Sequence, residues 1–268
     1  MTAPGPDGAG SPRVLMIVPT LGRRMPHLTL CLESITSQGV PGLDLVLVAP
    51  PSPDVETLVE KHSARLVPDP RRGMSGALNE GFATAAPGTA YVAWLGDDDL
   101  LSPGSLAATT AALDAEPGAS MAFGWCDYID DVGAVIFSSK AGRLAGRSIT
   151  FAPNLVPQPG SLMRLADVQA VGGVDERLTY SMDLDLFLRL RRRGRLVALP
   201  RTLASFRWHP DSITVQSEEA SAEEADQVRM RYMSRPVAAG YRVARWPGRW
   251  ALRAVKWRVR SRLRRAQA

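Results

Sequence analysis

A chain of 268 residues in which 45% are hydrophobic and 22% charged can bury a sizeable core, which excludes an intrinsically disordered protein. Its two cysteines, Cys31 and Cys126, are too few for a secreted disulfide framework and too far apart for a cysteine metal site, so we expect reduced thiols and a cytoplasmic protein. The formal net charge of +5 is unevenly placed, because residues 227–268 hold 13 Lys and Arg and no Asp or Glu, leaving residues 1–226 at −8.

The chain is expected to fall into three segments. Residues 1–12 are rich in Gly, Pro and Ala and show no basic start followed by an apolar run. We therefore predict a disordered leader there, not a signal peptide or a membrane span. One main domain is predicted over 13–215, followed by a helical, basic extension over 216–268.

Short apolar runs and helical periodicity alternate through the first half of the chain. Strands are predicted at 14–18, 43–48, 65–67 and 91–95, with helices between and after them. The first helix has an apolar face at i, i+3, i+4 and i+7, made of Leu28, Cys31, Leu32 and Ile35. Asp54 and Ser102 are the predicted N-caps of the second and fourth helices. The alternation favours a parallel, doubly wound α/β sheet, in which ligands bind at the carboxyl ends of the strands.

The second half has a less regular pattern. Segments 121–125 and 134–137 flank a turn at 130–133, which predicts a β-hairpin. Further strands are predicted at 158–163, 196–199 and 204–207, and helices at 167–171, 181–193 and 217–233.

Three adjacent carboxylates, Asp97, Asp98 and Asp99, follow the predicted strand 91–95 directly. Carboxylates this close repel one another, so a fold that keeps them beside a buried strand usually neutralises them with a cation. Oxygen ligands suit Mg²⁺ or Mn²⁺. The alternative is a solvated acidic loop at the start of the next helix.

Asp183 lies in the first turn of the predicted helix 181–193, where the helix dipole favours an ionised carboxylate. Such a group can accept a proton from a hydroxyl nucleophile. The alternative is a capping aspartate in a helix where Asp185 pairs with Arg189 at i+4. His209, in the segment Phe206-Arg207-Trp208-His209, is either a structural histidine or a metal ligand.

These features, in this order, resemble the family 2 glycosyltransferases of GT-A fold. The resemblance extends from about residue 14 to residue 214, and each of its motifs is short and degenerate. The motifs are VPT at 18–20 with Arg23, GMSGALNEG at 73–81, WLGDDDLLSP at 94–103, QPGSLMR at 158–164, GGVDE at 172–176, MDLDLFLR at 182–189 and FRWH at 206–209.

On the donor side, the resemblance implies a nucleotide pocket lined by Pro19, Thr20, Arg23, Arg72 and Asn79. Asp97 and Asp98 would approach the ribose and the metal, and Mg²⁺ or Mn²⁺ would be held across the diphosphate by Asp99, Asp98 and His209. The family usually ends its second strand with an aspartate that reads the base, whereas here the strand runs into Ala49-Pro50-Pro51. The donor could therefore carry UDP, dTDP or GDP. Gly96 stands where relatives often carry an acidic or amide residue before the acidic pair. The assignment of metal ligands within the triplet could therefore shift by one residue.

On the acceptor side, Asp183 matches the family's catalytic base. It would deprotonate an acceptor hydroxyl for in-line attack on the anomeric carbon, which inverts the configuration. Gln158 and Trp208 match positions near the acceptor or donor sugar. The resemblance thus implies an inverting, metal-dependent glycosyltransferase that builds a cell-surface glycan or decorates a natural product.

The C-terminal segment combines Trp246, Trp250 and Trp257 with many arginines on a helical pattern. A basic amphipathic helix with tryptophans is typical of binding to an anionic membrane surface, which would make the protein peripheral at the inner face of the membrane. A solvated helix, or one that packs in a homodimer, is the alternative. Nucleic acid is not an expected partner, because only the charge of this segment would support it.

Two other functions compete with this interpretation. A nucleotidyltransferase would also use paired carboxylates on an α/β sheet, but residues 19–24 make a poor version of its Gly-rich phosphate loop. A catalytically inactive sugar-binding module, or a scaffold recruited to a membrane, is the alternative from a different class. The presence of both Asp99 and Asp183 argues against it.

Overall fold

The buried apolar runs of the first half form four parallel strands. In the computed structural model, which describes residues 13–140, 142, 145–151, 156–208 and 218–242, these are β1 (Val14–Pro19), β2 (Leu43–Ala49), β3 (Arg65–Pro68) and β4 (Tyr91–Trp94). β1 lies between β2 and β4, and β3 pairs with the outer side of β2. All six β1 residues are buried, because helices cover both faces of a parallel sheet. The predicted parallel α/β arrangement is confirmed for this half.

Four helices connect or follow these strands: α1 (Met25–Thr36), α2 (Pro53–Lys61), α3 (Gly73–Ala83) and α4 (Ser105–Ala115). The predicted apolar face of α1 is buried as expected. Two predicted N-caps are wrong. α2 is capped by Ser52, whose hydroxyl accepts from the Val55 N–H, so Asp54 lies inside the first turn. α4 begins after Gly104, because Gly104 takes the left-handed φ of +71° that glycine adopts without strain.

The second half turns the sheet from parallel to mixed. Its strands are β5 (Leu100–Leu101), β6 (Ala119–Ile129), β7 (Val135–Ser139), β8 (Leu162–Arg164) and β9 (Arg195–Arg207). Within the described residues the strand order is β3-β2-β1-β4-β8-β6-β9-β5, and β7 pairs with β6. β8 is antiparallel to β4 and β6, whereas β9 runs parallel to β6. The predicted β6–β7 hairpin is confirmed.

Two predicted strand boundaries differ from the structure. The strand predicted over 158–163 is shorter, because residues 158–161 form a turn in which the Ser161 N–H donates to the Gln158 carbonyl. The two strands predicted over 196–199 and 204–207 are one continuous strand, β9, which crosses the intervening residues with register shifts against β6.

The remaining helices are α5 (Ala145–Ser148), α6 (Leu165–Ala170), α7 (Met182–Arg193), α8 (Glu218–Arg231) and α9 (residues 235–242). Alternate β1 residues belong to two different apolar clusters, so there is one core on each face of the sheet. Val228 of α8 is fully buried in one of these cores. The helix at the start of the predicted extension 216–268 therefore packs on the main domain.

Three predictions fall on residues that the structure does not describe: the leader 1–12, the metal ligand His209 and the basic segment from 243 onward. Within the described ranges, no helix has the length and hydropathy needed to span a membrane.

Gly124, in β6, lies close to residues 201–203 of β9. A Cβ at this position would come within 2.6 Å of the Leu203 side chain and 2.7 Å of the Arg201 carbonyl oxygen. We predict that Gly124→Ala lowers the free energy of unfolding by about 1–3 kcal/mol, measured by urea denaturation. The new methyl group would overlap β9, and the packed backbone there cannot move away without strain. In the control Gly118→Ala, the new Cβ meets no heavy atom of the described residues within 4 Å, so stability should hold. Equal midpoints for the two variants would contradict the prediction.

Candidate active site

The donor-side residues of the sequence meet where β1 and β4 end side by side. The buried Thr20 follows β1, and its hydroxyl donates to an oxygen of Asp97 at 2.5 Å, while the Gly22 N–H donates back to that hydroxyl at 3.0 Å. Burial raises the pKa of Asp97, the hydrogen bond from Thr20 opposes that rise, and the adjacent Asp98 adds to it. The structure thus brings Thr20 and the acidic triplet together at the carboxyl edge of the parallel strands, as their positions in the sequence indicated.

Asp98 is partly exposed and forms an ion pair with Arg24, whose Nη1 lies 3.1 Å from Oδ2 of Asp98. Arg24 immediately precedes α1, and the motif analysis had instead singled out its neighbour Arg23, which is exposed. Arg24 is therefore a cationic residue of this edge that the sequence motifs did not reveal.

Asp99 is the buried member of the triplet, with 3% of its surface exposed. The backbone N–H of Arg207 donates to its Oδ1 at 2.9 Å. Burial, followed by the negative charge of Asp98, raises the pKa of Asp99 well above its ordinary value, and the Arg207 N–H only partly opposes this. A cation next to Asp99 would favour its ionised form.

The Arg207 side chain is 2% exposed and connects the triplet to the β6–β7 turn. Its Nε donates to the Asp98 carbonyl at 3.0 Å, and its Nη1 donates to the carbonyls of Asp130 and Asp131 at 2.7 and 2.8 Å. No motif marked this role in the sequence, although Arg207 belongs to the FRWH segment. The contact depends on Arg207 lying opposite Ile129 across β6 and β9.

The acidic triplet does not form a closed metal-binding cage with other described residues. Among the residues that the structure describes, no three His, Cys, Asp or Glu side chains converge to enclose an ion. Mg²⁺ and Mn²⁺ bound to nucleotides commonly take only one or two carboxylates, and phosphates and water complete the shell. The buried Asp99 beside two partly exposed carboxylates fits such a substrate-completed site.

A buried thiol lies beneath this loop. Cys31 of α1 donates its S–H to the Gly96 carbonyl, with Sγ and the oxygen 3.3 Å apart. Burial raises the pKa of Cys31 well above its ordinary value, and the negative charges of all three aspartates raise it further.

Asp183 is the second residue of α7 and is partly buried, with its Oδ1 accepting from the Leu184 N–H at 2.7 Å. Burial raises its pKa from 3.8 to about 6; further along the chain, Arg229 lowers it and Glu224 raises it. Asp185, two residues later, is buried and binds Arg189 and the Tyr232 hydroxyl. The ion pair between Asp185 and Arg189 that was considered from the sequence is therefore present, and it does not involve Asp183.

Tyr128 of β6 is a partly buried phenol within an aromatic cluster. Its pKa is raised, chiefly by burial and further by Cys126 and the carboxylates of Asp99 and Asp183. The Tyr128 ring packs in an aromatic cluster with centroid distances of 5.4 to 6.1 Å, made of Phe137, Phe206 and Trp208. Sequence reasoning placed Trp208 near the sugar but missed Tyr128, because no motif contains it.

The other predicted site residues have structural partners. Gln158 donates from Nε2 to the Trp94 carbonyl at 2.7 Å, which ties it to the end of β4. Asn79 binds both the N–H and the carbonyl of Val174 at 3.0 Å, and Arg72 forms ion pairs with Glu80 and Glu176. Pro19 ends β1 and is buried. The roles of Arg72 and Asn79 in nucleotide binding stay predictions.

Comparisons with known proteins agree with this geometry. The model of the family "Glycosyl transferase family 2" matches residues 16–162, more than half of the chain. No curated protein matches the chain by sequence. The family match spans most of the parallel strands and the acidic triplet, and it ends before α7 and β9, which carry Asp183 and Arg207.

Solved structures share the fold. The mannosyltransferase PcManGT from Pyrobaculum calidifontis, in complex with GDP-Man and Mn²⁺, is 20% identical with a TM-score of 0.67, over 98% of this chain and 77% of that chain. S. aureus TarS 1-349 is 18% identical with a TM-score of 0.57, over 84% of this chain and 73% of that chain. The chain belongs to glycosyl transferase family 2 and is a glycosyltransferase of GT-A fold.

Proposed function

We propose that this glycosyltransferase is inverting and metal-dependent, and that it moves a sugar from a nucleoside-diphosphate sugar to an acceptor hydroxyl. One observation carries the proposal: the acidic triplet lies at the carboxyl end of β4, where Asp97 accepts from Thr20, Asp98 pairs with Arg24, and the buried Asp99 accepts from the backbone of Arg207. Asp99 also lies next to the aromatic cluster, because its partner Arg207 stands between Phe206 and Trp208 in the chain. We infer a role in making a cell-surface glycan or a natural-product glycoside.

Asp183 is the proposed general base. Its carboxylate takes the proton of the acceptor hydroxyl while the oxygen attacks the anomeric carbon, and the bond from that carbon to the diphosphate oxygen breaks. Attack opposite the leaving group inverts the configuration at this carbon. A carboxyl with a pKa of about 6 is largely ionised at neutral pH and is a stronger base than an ordinary aspartate.

Thr20, Asp97 and Asp98 form the proposed nucleotide side of the site. The contact between Thr20 and Asp97, with the ion pair of Asp98 and Arg24, fixes these groups at the edge where a ribose and diphosphate would bind. Mg²⁺ or Mn²⁺, held by Asp98 and Asp99, would supply positive charge to the departing diphosphate. The Mn²⁺ and GDP-Man in the PcManGT complex support this choice of cofactor and donor class.

Gln158 and Trp208 are proposed to contact the transferred or accepting sugar. Gln158 is fixed to the last residue of β4, directly before the acidic loop, and Trp208 packs on Tyr128. An aromatic ring next to carboxylates is suited to a sugar, whose C–H face packs on the ring while its hydroxyls bind the oxygens. The base of the donor stays open among UDP, dTDP and GDP.

A panel of UDP-, dTDP- and GDP-sugars tests the reaction class. We expect release of nucleoside diphosphate with at least one donor in the presence of Mn²⁺ or Mg²⁺, and loss of release when EDTA is added, because the diphosphate would lose its counter-charge. Release of pyrophosphate from a nucleoside triphosphate would favour the nucleotidyltransferase alternative. Turnover that is unaffected by EDTA would contradict metal dependence.

Asp183→Asn tests the base. We expect kcat to fall by about 10²–10⁴-fold, since the amide cannot accept a proton. Donor binding, measured by isothermal titration calorimetry, should remain, because Asp183 does not contact the donor nucleotide in the proposal. Asp185→Asn is a matched control for helix stability, since it weakens the buried ion pair with Arg189 but leaves Asp183 in place. Unchanged transfer by Asp183→Asn would remove Asp183 from this role.

The pH dependence of kcat gives a separate test. Because the pKa of Asp183 is raised to about 6, its carboxyl is protonated below that pH and cannot act as a base. At saturating donor we expect kcat to fall about tenfold per pH unit below pH 6 and to level off above it. The residual rate of Asp183→Asn should lack this limb. An acid limb near pH 4 would show that burial does not raise the pKa of the base.

A further inference from the structure

Glu224 of α8 binds the chain just before the helix that carries Asp183. Its Oε2 accepts from the Thr179 N–H at 3.0 Å, and its Oε1 accepts from the N–H groups of Tyr180 and Ser181, both at 2.7 Å. The backbone N–H groups at the start of a helix have no partner within it, and the N-cap Ser181 provides no side-chain cap to α7. The carboxylate of Glu224, which comes from a helix distant in the chain, therefore stabilises this turn. Its negative charge also interacts favourably with the positive end of the α7 dipole.

α8 is itself fixed in place. Val228 is buried in the core, and Tyr232, just after the helix, donates its hydroxyl to Asp185 of α7 at 2.7 Å. Asp226 and Arg229 are buried and lie 3.5 Å apart, and the hydroxyl of Tyr241 in α9 donates to Asp226 at 2.8 Å. α8 can therefore hold residues 179–181 at a defined position relative to the core.

We propose that Glu224 is a positioning residue of the transfer reaction, which holds the turn at 179–181 and thereby sets the place and direction of the Asp183 carboxylate. The inference rests on the proposed role of Asp183 as the base. Only one residue separates Asp183 from the turn that Glu224 binds. A displacement of a reacting group by about 1 Å can cost about 100-fold in rate, so loss of this contact should affect turnover before it affects donor binding. α8 thus belongs to the catalytic unit.

Two substitutions of Glu224 distinguish the effect of its hydrogen bonds from the effect of its negative charge. Alanine at position 224 leaves three backbone N–H groups without their acceptor. Glutamine keeps one amide oxygen, which can accept the two bonds that Oε1 now accepts, and loses the bond to Thr179 and the negative charge. Glu223→Ala is the matched control, because Glu223 precedes Glu224 on the same helix and its side chain is exposed.

Steady-state kinetics with the active donor from the panel test the proposal. We expect Glu224→Ala to lower kcat by about 10- to 100-fold with the donor KM changed by less than about twofold. Glu224→Gln should recover kcat to within about fivefold of the wild type, since two of three hydrogen bonds remain. Glu223→Ala should behave as wild type. Wild-type kcat for a folded Glu224→Ala protein, or equal losses in the Ala variants at 223 and 224, would overturn the proposal.

A double variant tests whether Glu224 acts through Asp183. On the residual turnover of Asp183→Asn, adding Glu224→Ala should lower the rate by less than about twofold, because there is no longer a base to misplace. A full additional loss would overturn the proposal while leaving the base assignment intact. If Asp183→Asn transfers at the wild-type rate, the proposed function itself fails, and the positioning role with it.

The pH profile of Glu224→Gln keeps the proposal testable if the alanine variant does not fold. Among the described residues, the charged or titratable groups that act on Asp183 include Glu224 and Arg229 from α8 and Tyr128 from β6. Glu224 raises the pKa of Asp183, so removal of its charge should move the acid limb of kcat to lower pH. An unmoved limb together with a wild-type kcat for Glu224→Gln would overturn the proposal, because neither the lost hydrogen bond nor the lost charge would then affect Asp183.

Discussion

The buried guanidinium of Arg207 fixes the donor edge of this enzyme. An arginine can be buried only where its charge and its N–H groups find partners, and here backbone carbonyls of the acidic loop and of the β6–β7 turn provide them. The same residue gives its backbone N–H to Asp99. One side chain thus connects the end of β4, the β6–β7 hairpin and the end of β9. The position of the acidic triplet relative to the aromatic cluster around Tyr128 depends on these bonds.

The neighbouring carboxylates of the site have different environments, which suits them to different tasks. Asp97 is bound by Thr20, Asp98 pairs with Arg24, and Asp99 is buried with a raised pKa, which a neighbouring cation would lower. Asp183 lies on a different element, α7, and Glu224 of α8 binds the backbone just before that helix. Burial raises the pKa of Asp183 to about 6, whereas Asp185 on the same helix is bound by Arg189 and Tyr232.

Features of the fold that depend on residues close together in the chain could be predicted from the sequence. The strands of the first half, the α1 face and the acidic triplet at a strand end followed from local patterns, and the fold class and family were confirmed. Tyr128, Arg207 and Glu224 were missed, since their roles arise from contacts between residues far apart in the chain, such as the parallel pairing of β6 with β9. The predicted N-caps of α2 and α4 were wrong because several residues near each helix start can act as the cap. The local backbone conformation determines which of them does. The roles of the site residues stay predictions.

The buried thiol beneath the acidic loop has a consequence for how the enzyme responds to its chemical surroundings. The reactive form of cysteine is the thiolate, and burial next to three carboxylates disfavours that form at Cys31. Cys126 is also buried and its pKa is raised as well, by burial and by Asp99. Neither sulfur is a good nucleophile, so thiol-alkylating agents should leave both native cysteines of the folded protein unmodified. A single cysteine introduced on the surface could then carry a fluorescent label without competition from the native thiols.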